Sequence, residues 1–358
     1  MQTEYMDIRK KYTARENRKK KILALSILVL IAAGFYFVTV GYSDTDTIQV
    51  FKAVIAGIFG KLDCGSREQN AAYKIIILMR MPRVAMAVIA GAGLSVAGTS
   101  MQAVTRNQLV SPFTMGISSA AAFGASMCIV FGSGLFWGQE IGIISSAFIA
   151  SAFCVMLVYI ISLKSGMKAE TIVLTGIALN YFFSALSSAI EFFAKENKLS
   201  SIVQWTFGTF NGIVWKDVLI SGIITLIGIA AVVLKSHELN VMSYGDDEVA
   251  VGLGINPKRI RGMVCIVAVM MTAAIISFTG VIGFVGLAAP HIARMIIGSD
   301  HKYLLPFSAV SGALLLMTAD AVGRTILQPV SIPVGIVVSF IGVPIFVHLI
   351  LKERRNAS

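Results

Sequence analysis

Apolar runs about as long as a bilayer is thick recur along this chain from Lys21 to Leu351. A spanning helix needs about 20 mostly apolar residues. A backbone in hydrocarbon must satisfy its own hydrogen bonds, so such runs fold as helices or not at all. Hydrophobic residues make up 56% of the chain and charged residues 14%, against about 45–50% and about 25% in a soluble domain. The reading is an all-α polytopic membrane protein with about ten transmembrane helices. The spans fall near 22–40, 76–104, 113–133, 139–162, 170–193, 217–234, 262–281, 284–298, 303–322 and 333–351. Residues 22–351 then form one membrane domain, between a basic tail at 1–21 and a short tail at 352–358.

Charge sets the expected orientation. Residues 1–21 carry eight Lys/Arg ahead of an apolar run too long for a signal peptide, which predicts an uncleaved first helix with its N-terminus in the cytoplasm. Ten spans return the chain to that side. The 30 Lys/Arg then divide as 20 inside and 10 outside, in keeping with the positive-inside bias. The expected location is the bacterial cytoplasmic membrane, with both termini cytoplasmic. Spans 2–5 and 7–10 run in opposite directions, as inverted repeats would. Small residues at helical spacing in Gly91-Ala-Gly-Leu-Ser-Val-Ala-Gly98 predict close helix packing.

Four groups of residues stand out. Arg80 and Arg83 bracket the outer entry of span 2, with Pro82 in its first turn, and Arg324 falls at the outer end of span 9. Three arginines against the positive-inside bias either snorkel to headgroups or meet an acidic partner, for which their planar fork suits a carboxylate. In the longest inner connection, 235–261, Asp246 predicts the cap of a short helix over 246–253. Asp247 and Glu248 favour the positive end of that helix, and Gly254 stops it. Gly245 and Leu253 flank this element, which is either a connector or a docking site. Gly176, Asn180, Ser184, Ser187 and Glu191 follow one face of span 5 and contact a neighbouring helix or line a path. Last, Pro290, His291, Arg294, Asp300 and His301 interrupt the apolar stretch from Gly280 to Pro306.

Several functions are excluded by what the pattern lacks. No phosphate loop is present, so the chain does not hydrolyse ATP itself. There is no His-Glu-x-x-His and no serine elbow. Only four histidines occur, and Cys64, Cys128, Cys154 and Cys265 are scattered, which argues against a metal site or a disulfide framework. The net charge of +11 lacks an aromatic-interleaved basic face, so nucleic acid is not expected.

These residues resemble the FecCD-type family, the permease subunits of iron-chelate and cobalamin ABC importers. The likeness runs through Arg80-Met-Pro-Arg83, Gly98-Thr-Ser-Met-Gln102, Arg106-Asn-Gln-Leu-Val-Ser-Pro112, Trp205-Thr-Phe-Gly208 and Gly245-Asp-Asp-Glu248. Its most specific parts are Phe284-Val-Gly-Leu-Ala-Ala-Pro-His-Ile-Ala-Arg294 and Asp300-His-Lys-Tyr-Leu-Leu-Pro306. Gln108 stands where the family usually has Pro, and Ser331-Ile332 where it has an acid and Leu. The resemblance implies a cobalamin-permease-like type II importer fold and a second permease subunit, with a path between helices 5 and 10. Two separate ATPase subunits would dock on Gly245–Gly254 and use ATP and Mg, with no cofactor bound by this chain. An extracytoplasmic binding protein would dock on Arg80, Arg83 and Arg324. The implied cargo is an iron chelate, a siderophore or haem, with cobalamin as the alternative. An ion-coupled secondary transporter is the reading from another class, and Asp320 its candidate carboxylate. Arg294 and Asp300–Lys302 fall at the cytoplasmic ends of spans 8 and 9, which makes the Gly280–Pro306 stretch an inner-face hinge and not a cargo site.

Overall fold

The computed structural model describes residues 2–40, 73–132, 138–327 and 330–357; Cys64 lies outside them. The helices are α1 (Gln2–Thr39), α2 (Met81–Thr105), α3 (Ile117–Phe131), α4 (Gln139–Lys164), α5 (Ala169–Phe193), α6 (Glu196–Thr206) and α7 (Trp215–Val233). They continue with α8 (Ser236–Tyr244), α9 (Asp247–Gly252), α10 (Pro257–Thr279), α11 (Val285–Ile297), α12 (His301–Thr325) and α13 (Val334–Ala357). Seven are long and apolar enough to cross a bilayer, and α3, α11 and the first part of α13 are shorter apolar helices. Together these match the ten predicted spans one for one. The sequence reading missed α6 and α8, and its short inner helix is observed as α9, trimmed by one residue at each end.

The helix ends follow local chemistry. A π-helical turn, Ile76–Arg80, leads into α2, and Pro82 sits in the first turn of α2, where its missing N–H costs nothing. Asn256 caps α10 through its side chain, which accepts from the Arg259 N–H at 3.2 Å. Pro290 lies inside α11 and cannot donate to the carbonyl of Gly286 one turn back.

Burial sorts the helices into a centre and a rim. In their most apolar windows, 72% of α10 and 61% of α12 is buried within the protein, against 6% of α1. So α10 and α12 are central, and α1 faces lipid. Lipid tails are as apolar as leucine, so these helices associate by close packing rather than by expulsion of water. Gly91 of α2 and Gly312 of α12 lie backbone to backbone, and beside them the Ser95 hydroxyl donates to the Ser308 carbonyl at 2.7 Å. Gly98 packs in the same way on the carbonyl of Gly286. The predicted small-residue stripe is therefore the seam that joins α2 to α12 and α11.

The bundle has two polar ends. One gathers the end of α2, the segment 235–256 and the 298–302 turn; the other gathers Arg80, Arg83, the 207–215 segment and the end of α12. They are called below the coupling-loop end and the arginine end.

A side chain at position 312 would strike the Gly91 carbonyl and Ser95, whereas one at Gly34 of α1 meets nothing within 4 Å. Gly312→Leu is expected to cost about 1–3 kcal/mol through overpacking, and Gly34→Leu close to nothing. Thermal unfolding of both variants in detergent checks this; equal shifts would contradict the packing account.

Candidate functional site

At the coupling-loop end the polar work converges on Asp247, the first residue of α9. Its carboxylate takes two hydrogen bonds from Arg261, at 2.6 and 2.7 Å, and a third from Arg106 at 2.8 Å. Arg261, in the first turns of α10, is 2% exposed. It also donates to the carbonyls of Val104 at 3.1 Å and Met167 at 3.4 Å. Arg106 follows α2 with φ +52, a conformation uncommon without glycine. Its Nε donates to the Met242 carbonyl at 2.9 Å, which fixes that turn. Hydrogen bonds from Arg261, then the charges of Arg261 and Arg106, hold the Asp247 carboxyl below the usual carboxylate range.

The rest of the predicted coupling element is partly as expected. Gly254 has φ +78, and the Ile255 and Gly254 N–H groups bond back to Ala250 and Val251 at 2.9 Å each, a Schellman stop for α9. Gly245 closes α8 through its bond to the Val241 carbonyl. The expected side-chain cap by Asp246 is not formed: its carboxylate is 93% exposed and turns instead toward Arg106 at 3.6 Å. Glu248 and Leu253 are exposed. So are the apolar side chains of Tyr244, Val249 and Val251, on an element that clamps its one buried-side acid inward.

The stretch Gly280–Pro306 supplies the neighbouring lock. Asn240 of α8 donates to the Asp300 carboxylate at 2.9 Å, and its own carbonyl oxygen accepts from the His301 N–H at 2.8 Å. His301 Nδ1 lies at 2.8 Å from the same oxygen, which fits the Nδ1–H tautomer. Asp300 also caps α12 by accepting from the Lys302 N–H. Arg294 bridges α11 to α2 through Gln102 Oε1 at 3.1 Å, and His291 is buried beside Pro290. These contacts are structural joints. Among the described residues no group of His, Cys, Asp or Glu could hold a metal ion.

At the arginine end the three predicted arginines come together, but each already has partners. Arg80 is 7% exposed and donates to the carbonyls of Val38 and Thr39 at 3.3 and 3.2 Å. Arg324 donates to those of Val40 and Phe37. Both therefore cap the C-terminus of α1, whose last carbonyls have no helical donors. Asp320, 2% exposed, accepts from Arg83 Nε at 2.8 Å and pairs with Arg324 at 3.0 Å. Arg83 also bonds Asn211. A pocket of about 580 Å³ opens among these groups, walled by Arg80, Arg83, Arg324, Asn211 and Phe210. Asp320 is thus a counter-ion to arginines, not an acid poised to bind a transported cation.

The polar face of α5 divides. Gly176 packs against Met115, and Asn180 meets Ser119 and the backbone of Gly116, whose φ of +78 and close approach require glycine. That half is helix contact. Ser184, Ser187 and Glu191 instead line a cavity of about 330 Å³ with Ser118, Thr206 and Val281. A second cavity, about 380 Å³, shares Thr206 and Val281 and reaches Ser339 and Phe340 of α13. The two adjoin at Thr206 and Val281, with α5 on the far side of one and α13 on the far side of the other. The sequence reading missed Thr206, at the end of α6, and Val281. It also quoted Arg106 without a role and passed over Arg261.

Asp247→Asn should leave Arg261 short of its counter-ion and loosen α9; because the carboxylate is 47% exposed, the cost is about 1–3 kcal/mol. Amide exchange across 242–256 should rise by about tenfold at neutral pH. A lowered carboxyl pKa contributes stability above its unfolded value, about 3.9, and loses it as pH falls through the folded value. The protection of these amides, after correction for the pH dependence of intrinsic exchange, should therefore stay flat from about pH 7 to about pH 5 and fall only below that range. A steep loss of protection already between about pH 7 and about pH 5 would contradict the Asp247 clamp.

Comparison with known proteins places this geometry. Residues 25–352 match the profile of the FecCD transport family. An ABC transporter permease protein of Methanocaldococcus jannaschii is 35% identical over 98% of this chain and 100% of its own length. A ferric-citrate import system permease of Bacillus subtilis is 35% identical over 96% of this chain and 99% of its own. Among solved structures, a metal-chelate type ABC transporter in an inward-facing conformation superposes with a TM-score of 0.80 at 29% identity, covering 93% of this chain and 99% of the other. Whole-length relatives and a profile match from α1 to α13 leave one assignment: this chain belongs to the FecCD transport family and is a multi-pass ABC transporter permease.

Proposed function

We propose that this permease is the membrane subunit of an importer for iron chelates, a siderophore or haem, driven by two separate ATPase subunits. The observation that carries the reading is α9 and its flanks: a short helix with Val249 and Val251 exposed, between exposed Tyr244 and Leu253, held to α2 and α10 through Asp247. Exposed apolar side chains on a rigidly anchored element mark a docking surface. In this reading the ATPase grips α9, and its ATP-driven closure moves α2 and α10 through the two arginines. The coupling-loop end and both termini face the cytoplasm, as the Lys/Arg distribution favours.

A second copy or a related subunit faces α5 and α13, where Leu174, Tyr181, Phe182 and Phe340 are exposed. The two adjoining cavities then become one side of a shared path, with Ser184, Ser187, Glu191 and Thr206 as its polar lining. At the arginine end, an acidic side chain of an extracytoplasmic binding protein enters the pocket of about 580 Å³ and meets Arg83 by displacing its exposed contact with Asn211, whereas the bonds of Arg80 and Arg324 to the end of α1 are more buried. The iron-chelate assignment leans on the ferric-citrate relative and the metal-chelate structure; cobalamin is the competing cargo. Ion coupling is disfavoured by the neutralised Asp320.

Reconstitution in vesicles tests the class. Ferric-chelate uptake should require the ATPase and ATP, and persist when ion gradients are collapsed. Uptake by the permease alone, driven by a gradient, would overturn the reading. Arg83→Glu should weaken binding-protein affinity by about tenfold or more, the loss of a charge-assisted contact, and leave ATPase docking unchanged. Unaltered binding-protein affinity would remove Arg83 from the docking surface.

A further inference from the structure

The first helix does not end at the bilayer. Residues 2–21 continue α1 below its apolar span as one unbroken helix. One face of α1 turns to the bundle along its length: Glu16, Lys19, Leu23, Ser26, Leu30 and Ala33 are all shielded at three- and four-residue steps. At its lower end Glu16 accepts from the Tyr303 hydroxyl at 2.6 Å and from Lys302 at 3.0 Å, while Lys19 lies over the Tyr303 ring. The acid is thereby spent inside the protein.

The opposite face behaves differently. Leu25 and Leu28 are each 64% exposed, and acyl chains must cover them. Arg18 and Lys21 precede them at spacings that keep Arg18, Lys21, Leu25 and Leu28 on one line of the helix, and both basic residues are exposed. The face that meets lipid tails thus becomes basic where the tails give way to headgroups, without turning toward the protein. Arg15 flanks it, exposed.

We infer that Arg18 and Lys21, flanked by Arg15, form a binding site for the headgroup phosphate of an anionic phospholipid. A basic residue beside an anionic surface contributes about 1 kcal/mol, or roughly fivefold in affinity. Arg supplies a bidentate fork to phosphate and Lys a compact charge. A soluble acidic partner is less suited, because the same line carries Leu25 and Leu28 directly above. The inference rests on the proposed inward N-terminus only for which leaflet supplies the lipid.

Native mass spectrometry of the full-length permease in detergent tests it, where membrane orientation plays no part. Wild-type protein should retain phosphatidylglycerol over phosphatidylcholine. The double variant R18Q/K21Q should lose that preference by roughly tenfold or more, and R18K/K21R should keep it. Excess glycerol 1-phosphate should not displace the lipid, since the acyl chains bind along Leu25 and Leu28; displacement would make a free phosphate ester the ligand and overturn the lipid assignment. Should the double variant fail to fold, salt titration of the wild type decides, because the preference must fall with ionic strength. R18Q/K21Q retaining phosphatidylglycerol like wild type would overturn the site and leave these residues as orientation signals. Either failure leaves ATP-dependent uptake, the test of the importer reading, untouched.

Discussion

A carboxylate at the start of a six-residue helix joins two arginines from distant parts of the chain. Asp247 meets Arg106 at the end of α2 and Arg261 in α10. Arg261 is almost wholly enclosed, and a buried guanidinium is tolerable only when its donors and its charge are matched. The carbonyls of Val104 and Met167 take two of its contacts and Asp247 supplies the charge. The segment that carries α9 therefore has one place to sit. A force applied to α9 reaches the end of α2, the α4–α5 turn and α10 through hydrogen bonds shorter than about 3.5 Å.

The same economy appears at the other end of α12. Its first residues lock to α8 through Asn240, and near its last turn Asp320 holds Arg83 and Arg324. A 25-residue helix spans about 37 Å, so α12, like α2 beside it, reaches both ends. Its middle is seated on α2 by Gly312 and Gly91, a contact with no room for sliding side chains. Two polar joints on one tightly packed helix give a route by which events at α8 and α9 can bias the arginine pocket. Arg80 and Arg324, which cap α1, extend that joint to the outermost helix of the subunit.

Much of this was legible. Apolar runs gave ten spans because length and hydropathy report directly on the bilayer, and Gly254 marked the end of α9 because only its positive φ permits that stop. The three arginines were placed together at one end by counting crossings. Their partners were not legible, because Asp320, Val38 and Val40 lie far away in sequence and meet them only once α1, α2 and α12 pack. Arg261 was passed over because the apolar run of span 7 starts just after it; α10 begins earlier, at Pro257, which carries Arg261 into the interior. The helix α6 was missed although Leu199, Ile202 and Val203 stand at helical spacing, since eleven residues between two spans read as a loop. On α5 the periodicity was right and its meaning mixed: Gly176 and Asn180 serve packing, Ser184 to Glu191 a cavity.

The central claim is that α9 delivers motion through Asp247 and its arginines. A double-mutant cycle on Asp247 and Arg261, read as chelate transported per ATP hydrolysed in reconstituted vesicles, tests it most directly. Each of D247N and R261Q should lower that ratio by about tenfold, and the double variant should be little worse than either, a coupling of about 1–3 kcal/mol. Losses that multiply independently, or a ratio unchanged in D247N, would show that the clamp shapes the loop without carrying the coupling.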